Sequence, residues 1–139
     1  MAQAIKDVMT RTTRTLDRSA SVQQAAQIMA EDDIGAVIVV DGDTVAGIVT
    51  DRDITVRSTA QGRAPADATV GDVVSGDIVT VSPTDTVGDA VGLMHDRAIR
   101  RLPVVEDGRP VGIVSIGDVA IERDSRSTLA DISAAEGNT

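Results

Sequence analysis

Two short motifs in the sequence combine a hydroxyl side chain with a carboxylate three positions later. They are Thr50–Asp53, in the segment TDRD, and Ser115–Asp118, in the segment SIGD. An ionised carboxylate only accepts hydrogen bonds and can take two hydroxyl donors at once, whereas a Ser or Thr hydroxyl both donates and accepts. Each motif could therefore hold a hydroxyl-bearing ligand. The same spacing before a helix is also a capping pattern, in which the hydroxyl satisfies an open backbone N–H group. The two roles are compatible.

Other residues that could carry chemistry are few. The sequence has no Cys and a single His, His95, which excludes a disulfide scaffold, a Cys/His zinc site and cysteine-protease chemistry. A Ser-His-Asp triad would have to use His95, which we interpret as a solvated residue on a helix. No paired carboxylates, metal ligands or activated nucleophile stand out. We therefore expect no catalytic residues, no metal site and no enzymatic activity.

The composition points to an aliphatic core. The chain has 139 residues, of which 42% are hydrophobic, and it has no Phe, Trp or Tyr. This is enough for one domain or for two small units that share a core. Without aromatic residues the chain cannot stack single-stranded nucleic acid, and its net charge of −9 opposes general binding to phosphate backbones. No apolar run reaches about 18 residues, and the start lacks a signal-peptide core. We expect a cytoplasmic protein without nucleic-acid or membrane partners.

The elements that position the two motifs are repeated in the sequence. Asp118 follows Asp53 by 65 positions, and the same shift overlays most of the chain on itself without a gap. The shared positions are mostly apolar residues or Gly, as expected of two copies of one packing unit. They pair Val22 with Val87, Ala25 with Ala90, Met29 with Met94, Ile34 with Ile99, and Gly47 with Gly112.

Each copy predicts the order strand, helix, strand, strand, helix. Apolar residues at helical spacing indicate a first helix from about Ser21 to Asp32, and its counterpart follows Ser82-Pro83-Thr84-Asp85. An Asp-Gly pair between β-branched runs predicts a hairpin in each copy. The hairpins lead into helices that begin near Asp51 and Gly117. The predicted fold class is α/β (α+β), and because a unit of roughly 50 residues is marginal alone, we expect the repeats to pack with pseudo-twofold symmetry.

The repeats set the predicted domain boundaries. Residues 1–60 form the first repeat and residues 71–123 the second. Small residues, Gly and Pro predict a linker at 61–70. Residues 124–139 are predicted to be a polar C-terminal tail that frays or packs peripherally.

The repeated segments resemble a tandem pair of CBS domains, which is also called a Bateman module. The match covers about residues 5 to 121, and it is similar to the small stand-alone CBS-pair proteins of bacteria and archaea, including the hypoxic response protein type. The residues that carry the resemblance are Asp7-Val8-Met9-Thr10, residues 47–54 (GIVTDRDI), residues 100–105 (RRLPVV) and residues 112–119 (GIVSIGDV).

The resemblance implies a regulatory ligand that contains adenosine, in a cleft between the repeats. This ligand is AMP, ADP, ATP or S-adenosylmethionine, and in some members of the family a dinucleotide. It also implies that Thr50 with Asp53, and Ser115 with Asp118, hold the ribose. The 2′ and 3′ hydroxyls of ribose are a donor pair that one carboxylate can accept. No further cofactor is required. The family commonly forms homodimers, and an unknown protein partner would read the ligand-induced change in packing.

A phosphate contact is implied for Arg100 and Arg101, because the family often carries His or Arg just before the first hairpin strand. The planar donor fork of Arg suits phosphate oxygens. The alternative is a solvated pair near Asp96, which would add little as a surface salt bridge. The first copy has Gly35 and Ala36 at the equivalent positions. We therefore expect one good nucleotide site and one that is weaker or different.

Adenine would lie against aliphatic side chains and be identified through backbone hydrogen bonds, because the chain has no aromatic residue. The family geometry points to Ile34, Ile99, Ala25, Ala90, Ile48 and Ile113. For each of them the alternative is an ordinary core residue. The competing hypothesis for the whole chain is a structural or interaction protein with vestigial ligand clefts.

Overall fold

The computed structural model describes residues 3–11, 14–74 and 78–123, so the predicted tail at 124–139 lies outside the described residues. In chain order the elements are a 3-10 turn at Ile5–Asp7, β1 (Thr10–Arg11), β2 (Thr15–Asp17), α1 (Val22–Asp32), β3 (Ala36–Asp41), β4 (Thr44–Thr50), α2 (Asp51–Arg57), a 3-10 turn at Thr59–Gln61, α3 (Val70–Val73), α4 (Val87–Arg97), β5 (Arg101–Glu106), β6 (Arg109–Ser115) and α5 (Ile116–Arg123). In the described part of the chain, no helix is both long and apolar enough to cross a membrane.

Both predicted hairpins are present, since β3 pairs antiparallel with β4 and β5 pairs antiparallel with β6. In the second turn, Asp107 and Gly108 have positive φ angles of 53° and 80°, as a type I′ turn requires. The register of this hairpin shifts between Val104 and Val105, where Pro110 is the partner residue. Proline cannot donate a ladder hydrogen bond and is therefore tolerated at such a bulge. The first hairpin has the same shift at the equivalent position.

One compact unit is formed by the described residues between 13 and 78. Its sheet has the order β2-β3-β4, with β2 parallel to β3. Helix α1 begins after Ser21, whose hydroxyl accepts a hydrogen bond from the Gln24 N–H at 3.1 Å, while Gln24 accepts one from the Ser21 N–H at 2.9 Å. This capping box fixes the start of the helix. The buried core consists of Val22, Ala25, Ile28, Val37, Val39, Val49, Ala68, Val70 and Val73.

The other compact unit combines described residues 3–11 with residues 79–123. Its sheet has the order β1-β6-β5, and Val81 forms a parallel bridge to Val104 of β5. This bridge is equivalent to the pairing of Leu16 with Val39 in the first unit. Helix α4 begins after Thr86 with its own capping box. The buried core consists of Ile5, Val81, Val87, Ala90, Met94, Leu102, Val104, Val114 and Val119.

Each sequence copy begins with a leading segment, which contains Ala4 in the first copy and Thr69 in the second. These leading segments are exchanged between the compact units. A backbone bridge joins Ala4 to Thr86 in one unit, and the equivalent bridge joins Thr69 to Ser21 in the other. Val70, at the end of the predicted linker, is fully buried in the core beside α1. The compact units therefore divide the chain differently from the sequence repeats at 1–60 and 71–123.

Gly112 allows β1 to lie against β6, where Arg11 is its register partner. A Cβ atom at Gly112 would lie 2.7 Å from the Thr10 carbonyl oxygen and 2.8 Å from the Met9 sulfur. Neither distance leaves room for a side chain, so the close approach of the two backbones requires Gly.

Helices α1 and α4 end in the same way. Asp33 and Ala98 follow the last helical residues and adopt left-handed conformations, with φ angles of 55° and 53°. This conformation is common at helix C-termini, but it costs an Ala residue more than a Gly.

Candidate ligand-binding site

The first hydroxyl–carboxylate motif joins β4 to α2. Thr50 is the N-cap of α2, and its Oγ1 accepts a hydrogen bond from the Asp53 backbone N–H at 3.0 Å. In return, Oδ2 of Asp53 accepts one from the Thr50 backbone N–H at 2.9 Å. The capping interpretation is thus confirmed for this motif. The hydroxyl uses only its acceptor capacity here, so its proton can still be donated to a ligand.

The second motif repeats this arrangement where β6 meets α5. Oγ of Ser115 accepts from the Asp118 backbone N–H at 3.1 Å, and Oδ2 of Asp118 accepts from the Ser115 backbone N–H at 2.8 Å. Ser115 is only 4% exposed, whereas Thr50 is half-buried. Capping is confirmed for the second motif as well, and ligand contact stays a prediction for both.

The two carboxylates differ at the oxygen that the cap does not use. Oδ1 of Asp53 lies 4.0 Å from Nε of Arg57, one helical turn later. Among the described residues, Oδ1 of Asp118 has no hydrogen-bond or ion-pair partner. Sequence reasoning did not identify the Asp53–Arg57 pair, although its i,i+4 spacing is a known signal for such pairs.

The environment of Asp118 disfavours its charged form. Burial raises the pKa of the Asp118 carboxyl above its ordinary range, and the hydrogen bonds from Ser115 oppose this change without cancelling it. Desolvation penalises an ionised carboxylate, while hydrogen bonds to it have the opposite effect. A ligand that donates hydroxyl groups to Oδ1 would supply part of the missing solvation.

The structure brings the predicted phosphate residues next to the second motif. The Cα atoms of Arg101 and Ser115 are register partners across the β5–β6 hairpin. The backbone N–H of Ile116 donates to the Arg100 carbonyl at 2.8 Å, which ties the start of α5 to the residue before β5. Arg100 is exposed and Arg101 is half-buried. The backbone of Arg100 and Arg101 therefore adjoins the Ser115–Asp118 motif, in which the Oδ1 atom of Asp118 is not used by the cap.

The first copy has the same backbone arrangement without the arginines. Ala36 is the register partner of Thr50, and the backbone N–H of Asp51 donates to the Gly35 carbonyl at 3.0 Å. The difference between the two motifs thus lies in the side chains and not in the fold.

Comparison with protein families settles where this repeated unit belongs. The CBS domain profile matches residues 5–58 and again residues 70–124, which together make up most of the chain. The chain belongs to the CBS domain family. Its two matches make it a CBS pair, in agreement with the resemblance and the fold predicted from the sequence.

Two relatives of this CBS pair match it over nearly their whole length. The CBS domain-containing protein YhcV of Bacillus subtilis is 39% identical over 134 residues, which cover 94% of this chain and 95% of YhcV. The solved structure of Hypoxic Response Protein I with two coordinated zinc ions is 33% identical, with a TM-score of 0.77 over 85% of this chain and 97% of that one.

A third relative is a ligand complex. The CBS domain pair of protein MJ0100, solved with 5′-methylthioadenosine and S-adenosyl-L-methionine, is 26% identical to this chain. Its TM-score is 0.78 over 88% of this chain and all of that one.

The predicted adenine residues of the two CBS repeats fall into two groups. Ala25 and Ala90 have no exposed surface and belong to the two cores, so the structure favours the core interpretation for both. Ile34 and Ile99 are half-buried against those cores. Half-buried Ile48 and the more deeply buried Ile113, which is 9% exposed, lie on the second hairpin strands. For these four isoleucines, contact with adenine stays a prediction.

Proposed function

We propose that this CBS pair is a regulatory, non-enzymatic module that binds an adenosine-containing ligand at the Ser115–Asp118 motif. The observation that carries the proposal is the carboxylate of Asp118, whose Oδ1 has no partner among the described residues while Arg101 lies across the hairpin from Ser115. The family membership of the chain and the adenosine ligands of the MJ0100 pair support the proposal.

Each part of such a ligand has a counterpart in the second repeat. The 2′ and 3′ hydroxyls of the ribose donate to Asp118, since an ionised carboxylate can accept both. Arg100 and Arg101 carry donor forks that match phosphate oxygens. The aliphatic side chains of Ile99 and Ile113 are candidates for contact with the adenine. A sulfonium ligand such as S-adenosylmethionine would use the same ribose contact and would offer the arginines its amino-acid carboxylate in place of a phosphate.

Regulation requires that the ligand bind two states of the protein with different affinity. We propose that the chain forms a homodimer and that ligand binding changes its packing, which a protein partner then reads. Its proposed location is the cytoplasm. Mass photometry or sedimentation with and without ligand tests the assembly, and a mass that corresponds to a monomer under both conditions contradicts it.

A ligand panel tests the binding proposal directly. Calorimetry and thermal shift with AMP, ADP, ATP and S-adenosylmethionine should identify at least one ligand. At 100 times its dissociation constant, that ligand stabilises the fold by about 2.7 kcal/mol, which raises the melting temperature by roughly 5 °C or more. A dye or circular dichroism must provide the signal because the chain has no aromatic residue. No response at millimolar concentration would disprove binding.

The second candidate function is a structural or interaction protein whose ligand sites are vestigial. It is favoured by one observation, which is that both hydroxyl–carboxylate motifs already have a structural role as capping boxes. A chain that assembles with a partner and ignores every adenosine ligand supports this alternative.

A further inference from the structure

The position of Arg57 bears on which CBS repeat accepts a ligand. Its guanidinium makes two contacts within the compact unit of the first motif. Nε lies 4.0 Å from Oδ1 of Asp53, and Nη1 donates a hydrogen bond to the Val73 carbonyl at 3.3 Å. Since Oδ2 of Asp53 accepts from the Thr50 N–H, both oxygens of this carboxylate face donors of the protein itself.

The bond to Val73 holds Arg57 in place. Val73 is the last residue of α3, where helix carbonyls lack intrahelical partners. A cationic donor to this unpaired carbonyl is favourable as a charge-assisted hydrogen bond. A ribose that approached Asp53 would therefore have to displace a half-exposed side chain that has polar contacts on two sides. The Asp53 side chain is itself only 21% exposed.

The second repeat lacks this arrangement in its sequence. The residue one turn after Asp118, at the position equivalent to Arg57, is Glu122. A Glu cannot neutralise a neighbouring carboxylate, because both carry negative charge. Helices α2 and α5 thus carry opposite charges one turn after the carboxylate of the motif, at Arg57 and Glu122.

We propose that Arg57 closes the first CBS repeat to ligand by occupying Oδ1 of Asp53, so that the chain takes one adenosine ligand, at Asp118. The inference rests on the proposed function and adds its stoichiometry and the residue that sets it. It assigns Asp53 a structural role as a link between α2 and α3. It also predicts that removing the Arg57 cation creates a second ligand position that the wild-type chain does not use.

Gain of binding in a chain without the second site tests the role of Arg57. The probe is adenosine, because the first repeat has no arginine at positions 35 and 36. Calorimetry should find one adenosine per wild-type chain and much weaker binding in Asp118→Ala. Adding Arg57→Gln, which removes the cation beside Asp53, should strengthen this residual binding by up to roughly fivefold, the upper end for loss of an exposed ion pair. A further Asp53→Ala substitution should remove it again.

Arg52→Gln in the Asp118→Ala background is the matched control, because Arg52 lies on the same exposed helix and has no described contact with Asp53. Circular dichroism confirms that each variant is folded. A wild-type chain that binds two adenosine molecules, or a folded Asp118→Ala/Arg57→Gln chain that binds adenosine no more tightly than Asp118→Ala does, overturns the role of Arg57 and leaves the proposed function intact. A wild-type chain that binds no adenosine ligand of the panel overturns the proposed function, and this inference with it.

Discussion

Arg101 and Ser115 face each other across the β5–β6 hairpin, on the strand ends that lie next to the first turn of α5. In the first repeat the same two positions are Ala36 and Thr50. The hydroxyl is kept in both repeats, whereas the cation is present in only one. The polar capping geometry is therefore common to the two CBS repeats, and a cation at this strand position is specific to the second.

Substitutions in the second repeat should impair nucleotide binding more than the equivalent change in the first. We expect Asp118→Ala and Arg101→Ala each to weaken AMP binding by roughly 10-fold or more, because each removes charged hydrogen-bond partners of the ligand. Asp53→Ala removes a cap of similar geometry and should change AMP affinity much less. Calorimetry measures the three dissociation constants. An Asp53→Ala chain that loses the most affinity would reverse the assignment of the stronger site.

The pH dependence of stability should reveal the burial of Asp118. The pKa of Asp118 is raised in the folded state, so folding favours the neutral carboxyl over the charged one. The resulting contribution to stability is fully present below the unfolded pKa and is lost as pH rises through the folded pKa. Asp118→Asn removes this titration and keeps a capping side chain. The free energy of unfolding of the variant relative to wild type should therefore increase from about pH 3 to pH 7. Urea denaturation at both pH values measures the difference, and a difference that stays constant or decreases contradicts the raised pKa.

Gly112→Ala should destabilise the protein by separating β1 from β6. The added Cβ atom would meet the Thr10 carbonyl and the Met9 sulfur at less than 3 Å, and overpacking of this kind costs about 1–3 kcal/mol. The matched control is Gly92→Ala in α4, where a Cβ atom has no neighbour within 4 Å. Because Ala is the better helix former, the control should gain about 1 kcal/mol. Chemical denaturation compares the two variants, and equal effects would show that the strand contact is loose.

Ala98→Gly should stabilise the fold by about 0.5–1 kcal/mol, because the left-handed conformation after α4 is strained for Ala and free of strain for Gly. The same substitution at exposed Ala26, inside α1, should instead cost about 1 kcal/mol. Opposite shifts in melting temperature are the expected result. A loss of stability in both variants would mean that Ala98 makes a packing contribution larger than its strain.

Local signals in the sequence were sufficient for much of the fold. The Asp-Gly turns and the helix starts at Ser21 and after Asp85 depend on neighbouring residues, so they were predictable. The exchange of leading segments was not, because the two copies have similar local patterns. Ala4 could in principle pair with Ser21 of its own copy as well as with Thr86, and only tertiary packing decides between such partners.

For the candidate site, sequence reasoning could identify the repeated carboxylates and could favour the second site because of Arg100 and Arg101. It could not show which of the two carboxylates has a partner within the fold. Asp53 and Asp118 have the same spacing from their hydroxyl residues and the same capping bonds. They differ in the burial of their hydroxyl residues, since Ser115 is buried and Thr50 is half-buried. They also differ in the contact of Arg57 with the Val73 carbonyl, which spans 16 positions. Both differences depend on side-chain placement in three dimensions.

The exchanged leading segments limit where this protein can be cut without loss of its two cores. A chain cut between the CBS repeats would leave each half without the segment that completes its core, since Ile5 lies in the core beside α4 and Val70 in the core beside α1. A single repeat would have to borrow that segment from a second molecule. Cleavage between the sequence repeats should thus disrupt both cores, although each repeat would remain intact as a segment of sequence.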